Sequence, residues 1–359
     1  MDWTRFHEFP PRGAANAPHS PGSGRAFSCP SLSHTARSGH TARRTLGPLI
    51  ARVFAWLALL SVCTPVNAEP FAYVPNEGSG TISIIDTATD ALAGEIATGG
   101  RPRGVAIGSS ALYFTDLPSG SLKVADVKTR SIVSQVPLGK SPEGVYISRD
   151  GKLLAAAVEE SNSVAIVDAA ALRVLANVPV TGKNPEHAVF SPDGAWIYVS
   201  AEDADTVEVI DVARRAQVGV IKVGQRPRGI AFTPDSRIAY IACEVASQVY
   251  AVDVASRKVV ATIKPGEFSN GVVMHPSGRR VYVSNGRSGS VSVIDTATNS
   301  VVATIAVGQR PWNMALTPDG RKLYVANGRS NSVSVIDTVA DRKITDVAVG
   351  NLPWGVVIR

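Results

Sequence analysis

Three stretches of the sequence share one frame and differ where chemistry could sit. GKNPEHAVFSPDG (182–194) carries Glu186 and His187, where GQRPRGIAFTPDS (224–236) carries Arg228 and Gly229 and GQRPWNMALTPDG (308–320) carries Trp312 and Asn313. Imidazole changes charge near neutral pH, a neighbouring carboxylate can share its protons or a cation, and an indole offers a flat apolar face with one polar edge. The frame recurs at Pro102, Pro142, Pro185, Pro227, Ser269, Pro311 and Pro353. The residue after each landmark is Arg103, Glu143, Glu186, Arg228, Asn270, Trp312 and Trp354, and the next is Gly104, Gly144, His187, Gly229, Gly271, Asn313 and Gly355. Only His187 and Asn313 break the glycine column. Glycine there lets a strand begin close to its neighbours, so an imidazole in that place implies a return in contact or binding; the plainer reading is that His187 fills space or bonds a neighbouring carbonyl.

These types divide into two expected arcs. Glu143 and Glu186, with Glu159, Glu202, Asp203 and Glu244 from a second set of loops, predict an acidic arc; Trp312 and Trp354, with Arg287, Arg310 and Arg329, predict an aromatic and cationic one. Such a rim suits an oriented polar partner or a flat anionic ligand stacked on indole. Glu143, Glu186 and His187 have the donor types of a divalent metal site, but a metal needs several converging ligands and spacing alone does not make them converge, so no metal is assigned. His275, in VVMHPSG, falls at the other end of its unit. The sequence has no nucleophile elbow, paired acid and base, or phosphate-cradling loop, so no catalytic set is assigned.

A repeated scaffold must bring these positions together. A β-rich run ending in Asp recurs as ISIID86, LKVAD126, VAIVD168, VEVID211, VYAVD253, VSVID295 and VSVID337, at intervals of 40 to 43 residues, and the Pro landmarks keep the same interval. Within one unit, GIAFTP, RIAYIAC, QVYAVDV and KVVATIK are four short strands separated by turn residues, and 69–359 shows no helical period. A four-stranded sheet of about 42 residues that must stack on its neighbours is a propeller blade. The fold expected is all-β, a seven-bladed β-propeller of four-stranded antiparallel blades. FAYVPN aligns with a second strand and the terminal GVVIR with a first, so residues 355–359 are expected to pair with the first blade and shut the ring.

The totals limit the partners. The chain has 359 residues, 45% hydrophobic and 18% charged, with a formal charge of +6. That charge lies mostly in residues 1–68; 69–359 holds 29 basic and 28 acidic groups, too balanced for a nucleic-acid footprint. Residues 1–68 read as an N-terminal extension plus a cleavable signal peptide: TARRTLGPLIAR is basic, 53–62 is an apolar run of ten, and VNA ends at 68. Ten apolar residues do not cross a hydrocarbon core that needs about twenty, so no permanent membrane span is expected. Cys63 follows Val62 where a lipoprotein box has a small residue, which argues against acylation. Residues 1–40 are expected to precede the true start of translation. Cys243 alone remains after cleavage, with no CxxCH for haem or CxxC for zinc.

The repeat, plainest in VYVSNGRSGSVSVIDT (281–296) and LYVANGRSNSVSVIDT (323–338), resembles the YVTN-type β-propeller repeat over all of 69–359. GQRPRGIAFTPD, GQRPW and NLPWGV make it most similar to the seven-repeat propellers associated with pyrroloquinoline-quinone (PQQ)-dependent alcohol catabolism. That resemblance implies a periplasmic, non-enzymatic binding or scaffold protein, with a quinoprotein dehydrogenase, cytochrome c or a transport component as partner. It does not imply that this chain binds PQQ, because the tryptophan-docking repeats of the eight-bladed quinoprotein dehydrogenases are absent. PEHAVFSPDG is also similar to the histidine-bearing strand entry of seven-bladed sugar-lactone hydrolases, which would make His187 a general base beside Arg228; the other entries keep Gly where that family has more His. A surface or adhesion propeller is the third reading.

Overall fold

The computed structural model describes residues 70–359, and the expected leader, with its apolar run and Cys63, lies outside the described residues. Seven four-stranded sheets account for the described chain, each antiparallel and running from the first strand at the channel outward to the fourth. The first strands of blades two to seven are Pro102–Ile107, Pro142–Ile147, Pro185–Phe190, Pro227–Phe232, Ser269–Met274 and Pro311–Leu316. Blade one is completed by the other end of the chain: Val357–Ile358 pairs with Phe71–Asn76 through Tyr73↔Val357 and Ala72↔Ile358. Main-chain bonds between Phe71 and Arg359 and a bridge from Asn76 to Pro353 extend this seam, so the expected closure by 355–359 is present, with regular strand only at its centre.

The recurrent Asp has a local task. The carboxylate of Asp295 accepts the N–H groups of Ala297 and Thr298 at 2.9 and 3.0 Å, and Asp86, Asp126, Asp168 and Asp337 do the same in their own turns. This side chain replaces the backbone acceptors a tight turn lacks. Each turn ends on a left-handed residue, at Asp90, Arg130, Leu172, Arg215, Arg257, Asn299 and Asp341, with φ between 49° and 57°. Most of these residues latch to a neighbouring blade. Arg257 donates to the Val218 carbonyl at 2.8 Å, Tyr240 donates to Asn299 at 2.8 Å, Arg280 pairs with Asp341 at 2.9 Å, and Lys322 of blade seven pairs with Asp90 of blade one at 2.8 Å across the seam.

The core lies between blades. Apolar side chains of facing sheets interdigitate, and Tyr198, Tyr240, Tyr282 and Tyr324 occupy the same position in blades four to seven, all fully buried. Tyr198 meets Phe232 of the next blade edge to face at 4.9 Å between ring centres. A single blade would leave both faces in water, so the stack is stable only as a ring.

Candidate functional site

The loops entering each first strand and the loops joining second to third strands meet at one end of the channel, termed here the upper face. Where each first strand begins, the ladder slips. In blade five Pro227 pairs with Cys243 and Ile230 with Ile241, leaving Arg228 and Gly229 against a single residue of the second strand. Blades two, three, six and seven share this β-bulge, and in blade four the slip falls at Glu186 alone because His187 pairs with Ser200. A bulge re-aims the side chain that follows it. The residue before the landmark is left-handed in six blades, at Ser141, Asn184, Arg226, Phe268, Arg310 and Leu352, with φ between 54° and 59°.

The glycine column is explained by the backbone of the next blade. A Cβ on Gly104 would lie 2.4 Å from the Glu143 carbonyl oxygen, on Gly229 2.6 Å from that of Asn270, and on Gly271 2.5 Å from that of Trp312. In blade four His187 pairs with Ser200, and its ring lies against Gly144 of the preceding blade, whose own Cβ site is 3.0 Å from His187 Nδ1. Asn270 is buried, and Asn313 points its amide at the Trp354 carbonyl, 3.3 Å away.

The expected acidic arc is not open, because arginines are set into it. Arg103 bonds Glu143 of the next blade and Glu77 of the preceding one, the latter at 3.2 Å, and Arg101 also reaches Glu77. Arg228 holds Glu186 at 2.6 Å, Glu244 at 3.1 Å, and Glu202. Arg226 lies between Glu202 and Glu244 at 3.1 and 3.5 Å, and Arg310 stretches over Gly286 to the same Glu244. Glu159 joins through Ser141, which donates to it at 2.8 Å and to Glu143 at 3.3 Å. The result is a belt of alternating charge, most of it buried, that ties together strands from different blades.

Burial and pairing compete in this belt. Burial pushes Glu143 and Glu202 up to about 8; Arg103 and Arg228 respectively oppose the push, and Glu186 adds repulsion to both. Burial acts the same way on Glu186 and Glu244, but Arg228 and the other guanidiniums outweigh it and hold both below the usual carboxylate range. Arg103 and Arg228 are kept charged against burial by the same carboxylates.

The aromatic arc is not open either. Trp354 does not lie beside Trp312 as an exposed platform; it is 7% exposed and reaches across the axis to His187, with ring centres 5.5 Å apart and planes tilted by 31°. His187 Nδ1 shares a 2.7 Å hydrogen bond with the Tyr146 hydroxyl of the neighbouring blade. Blades one, three and four therefore meet at the axis in one Tyr–His–Trp stack. Burial lowers His187 to about 4, with Glu186 opposing and Arg228 and Arg103 reinforcing, so the ring is neutral at pH 7. Trp312 is half-buried on the backbone of Gly328, where a Cβ would meet its ring at 2.6 Å. Arg287 stacks on Phe268, with Cζ 4.0 Å from the ring centre.

Sequence reasoning passed over Glu77, Arg101, Tyr146 and Arg226. Glu77 occupies the same second-to-third-strand position as Glu159, Glu202 and Glu244, and Tyr146 stands where the other first strands carry Ala106, Val189, Ala231, Val273, Ala315 and Val357, so both were visible as column members. Among the described residues no three His, Cys, Asp or Glu side chains are placed to hold a metal ion, since Glu143 and Glu186 are engaged by arginines and His187 by Tyr146. His275 bonds Ser277 in the turn at the opposite end of blade six.

Residues 45–358 match the YNCE-like beta-propeller family. The chain belongs to that family. Similar solved structures include hydrazine synthase of Kuenenia stuttgartiensis, 22% identical over 75% of this chain and 92% of the other, with a TM-score of 0.68. A functionally unknown protein from Desulfotomaculum acetoxidans DSM 771 is 18% identical over 80% and 98%, with a TM-score of 0.71. A protein from Lactobacillus plantarum is 18% identical over 81% and 99%, with a TM-score of 0.72. At these identities the shared property is the propeller itself. A search of curated proteins finds no significant match.

Proposed function

We propose that this YNCE-like propeller is a non-enzymatic binding or scaffold protein of the periplasm that serves PQQ-dependent alcohol catabolism by engaging a partner at its upper face. One observation carries the non-enzymatic part: the ionisable groups around the channel mouth are spent on one another. Glu143, Glu186, Glu202 and Glu244 are held by Arg103, Arg228, Arg226 and Arg310, and the one imidazole is neutral and fixed between Tyr146 and Trp354. A general base needs a proton affinity near the working pH and reach to its substrate; His187, 1% exposed and lowered to about 4, offers neither. The belt instead supplies a rigid, charged rim on a sheet scaffold, which is what recognition asks of a propeller end. The link to alcohol oxidation rests on the resemblance of GQRPRGIAFTPD, GQRPW and NLPWGV.

The experiment has two arms. Purified protein is assayed on a lactone panel and, with added PQQ and calcium, on primary alcohols; both are expected to stay at background, and turnover abolished by His187→Ala would replace this reading with a hydrolase. Surface plasmon resonance with the quinoprotein alcohol dehydrogenase and the cytochrome c of the same organism is expected to show saturable binding to one of them. Lack of binding to either would remove the link to alcohol oxidation.

A further inference from the structure

The outermost layer of the upper face carries a charge pattern of its own. The second residue of each second-to-third-strand loop, in blade order one to seven, is Gly78, Pro118, Glu160, Asp203, Val245, Arg287 and Arg329, all solvent-exposed. Two neutral positions are followed by two acidic, one apolar and two basic ones. A half-turn about an axis lying in the face, through blade five, carries this disc onto a second copy so that blade four meets six, three meets seven, one meets two, and five meets itself. Under that operation Asp203 faces Arg287, Glu160 faces Arg329, and Val245, 48% exposed, faces its own counterpart. Among the seven two-fold axes through a blade, blade five alone brings both acids onto both arginines.

A second position, in the loop entering the first strand and exposed in every blade but the second, tests the same axis. Lys183 of blade four falls opposite Glu267 of blade six, Lys140 opposite Gln309, and Gln225 opposite itself, so no like charges meet. The two positions lie side by side in each blade: Asp203 N–H donates to the Lys183 carbonyl at 3.3 Å and Arg287 N–H to that of Glu267 at 3.2 Å. The basic sector is free to pair, since among the described residues neither Arg287 nor Arg329 makes an ion pair. Stacking on Phe268 occupies one face of the Arg287 guanidinium, and its N–H groups make no hydrogen bond or ion pair among the described residues, which leaves them free for a carboxylate. On the acidic side Glu160 has only Lys140 at 3.7 Å and Asp203 only the Asn184 amide at 2.5 Å.

We infer that the upper face is self-complementary and that two copies of this chain associate face to face about a two-fold axis through blade five, with Val245 meeting its own counterpart on that axis. This isologous arrangement closes on itself and stops at a dimer. It goes beyond the binding role proposed above: a dimer covers the channel mouth, so a partner must compete with the second copy, and failure of the dimer leaves the partner reading intact.

The test is charge exchange, read by sedimentation velocity on purified protein. Wild-type protein is expected to dimerise at about 50 mM NaCl and to dissociate at about 500 mM, where screening shortens the reach of exposed pairs. Arg287→Asp and Asp203→Arg each put like charges opposite one another twice and are expected to be monomeric, with at least a tenfold rise in Kd. Their one-to-one mixture restores both contacts and is expected to sediment as a heterodimer. Far-UV circular dichroism checks folding, and Arg329→Glu with Glu160→Lys repeats the exchange at the second contact. Monomeric wild-type protein at low salt, a dimer indifferent to either reversal, or a mixture that stays monomeric would each overturn the inference.

Discussion

Arg228→Ala probes the buried belt most directly. The guanidinium is 12% exposed and touches Glu186, Glu202 and Glu244, themselves nearly sealed from water. Glu202, raised to about 8, can stay protonated at neutral pH, but Glu186 and Glu244 are held ionised chiefly by Arg228 and would be left as poorly compensated buried charges. Removing one partner of a buried pair costs about 3–5 kcal/mol. At about 2 °C per kcal/mol for a domain of this size, Tm should fall by about 6–10 °C at pH 7. The direction with pH follows from the lowered carboxylates. Their pairing stabilises the fold above the unfolded value of about 4.3 and is lost as pH falls through the still lower folded value. In the variant both carboxylates can protonate at higher pH, so the gap from wild type should narrow between pH 7 and pH 4. Differential scanning calorimetry at both pH values measures this. A Tm within 1 °C of wild type at pH 7, or a gap that widens on acidification, would refute the claim that the belt is held by charge pairing.

Three further outcomes follow from the same geometry. Glu202 has a folded value near 8, above its unfolded one, so its contribution is full below about 4.3 and lost as pH rises through 8. Glu202→Gln should therefore gain on wild type between pH 5.5 and pH 8.5, by up to about 1.4 kcal/mol per pH unit, and a constant difference in urea titrations would contradict this. Deleting 355–359 removes the seam with Phe71 and Tyr73 and buried Val356; several main-chain bonds at about 1 kcal/mol each and one buried Val at about 2 predict a Tm loss near 10 °C or aggregation, and an unchanged melting curve would count against ring closure. His187 should keep its neutral NMR signature down to about pH 5, with a midpoint near 4, and Tyr146→Phe should shift its ring resonances; titration near 6.5 would show that the axial stack is open to water.

The seven units, their four strands and the closing terminus were readable because repetition supplies the same signal many times. VSVID295 and VSVID337 announce one strand ending in Asp, and a sheet with that period can bury its faces only by stacking on copies of itself. The glycine column was readable as a close approach, though the atom approached, the carbonyl of the next blade, was not. The columns placed Glu143, Glu186, Arg103 and Arg228 at one rim, yet a column states position around the ring and says nothing of direction. The bulge after each landmark and the left-handed residue before it turn those side chains toward one another, so charges expected to face solvent are consumed in pairs. Trp354 and His187 lie 167 positions apart in sequence and meet only because the ring is narrow at its axis. The sequence alone thus determined the number of blades and the inventory of their rim, since both are local and repeated; which rim groups meet, and so which remain free to bind, was decided by the closed ring, because contacts across an axis exist only once every blade is in place.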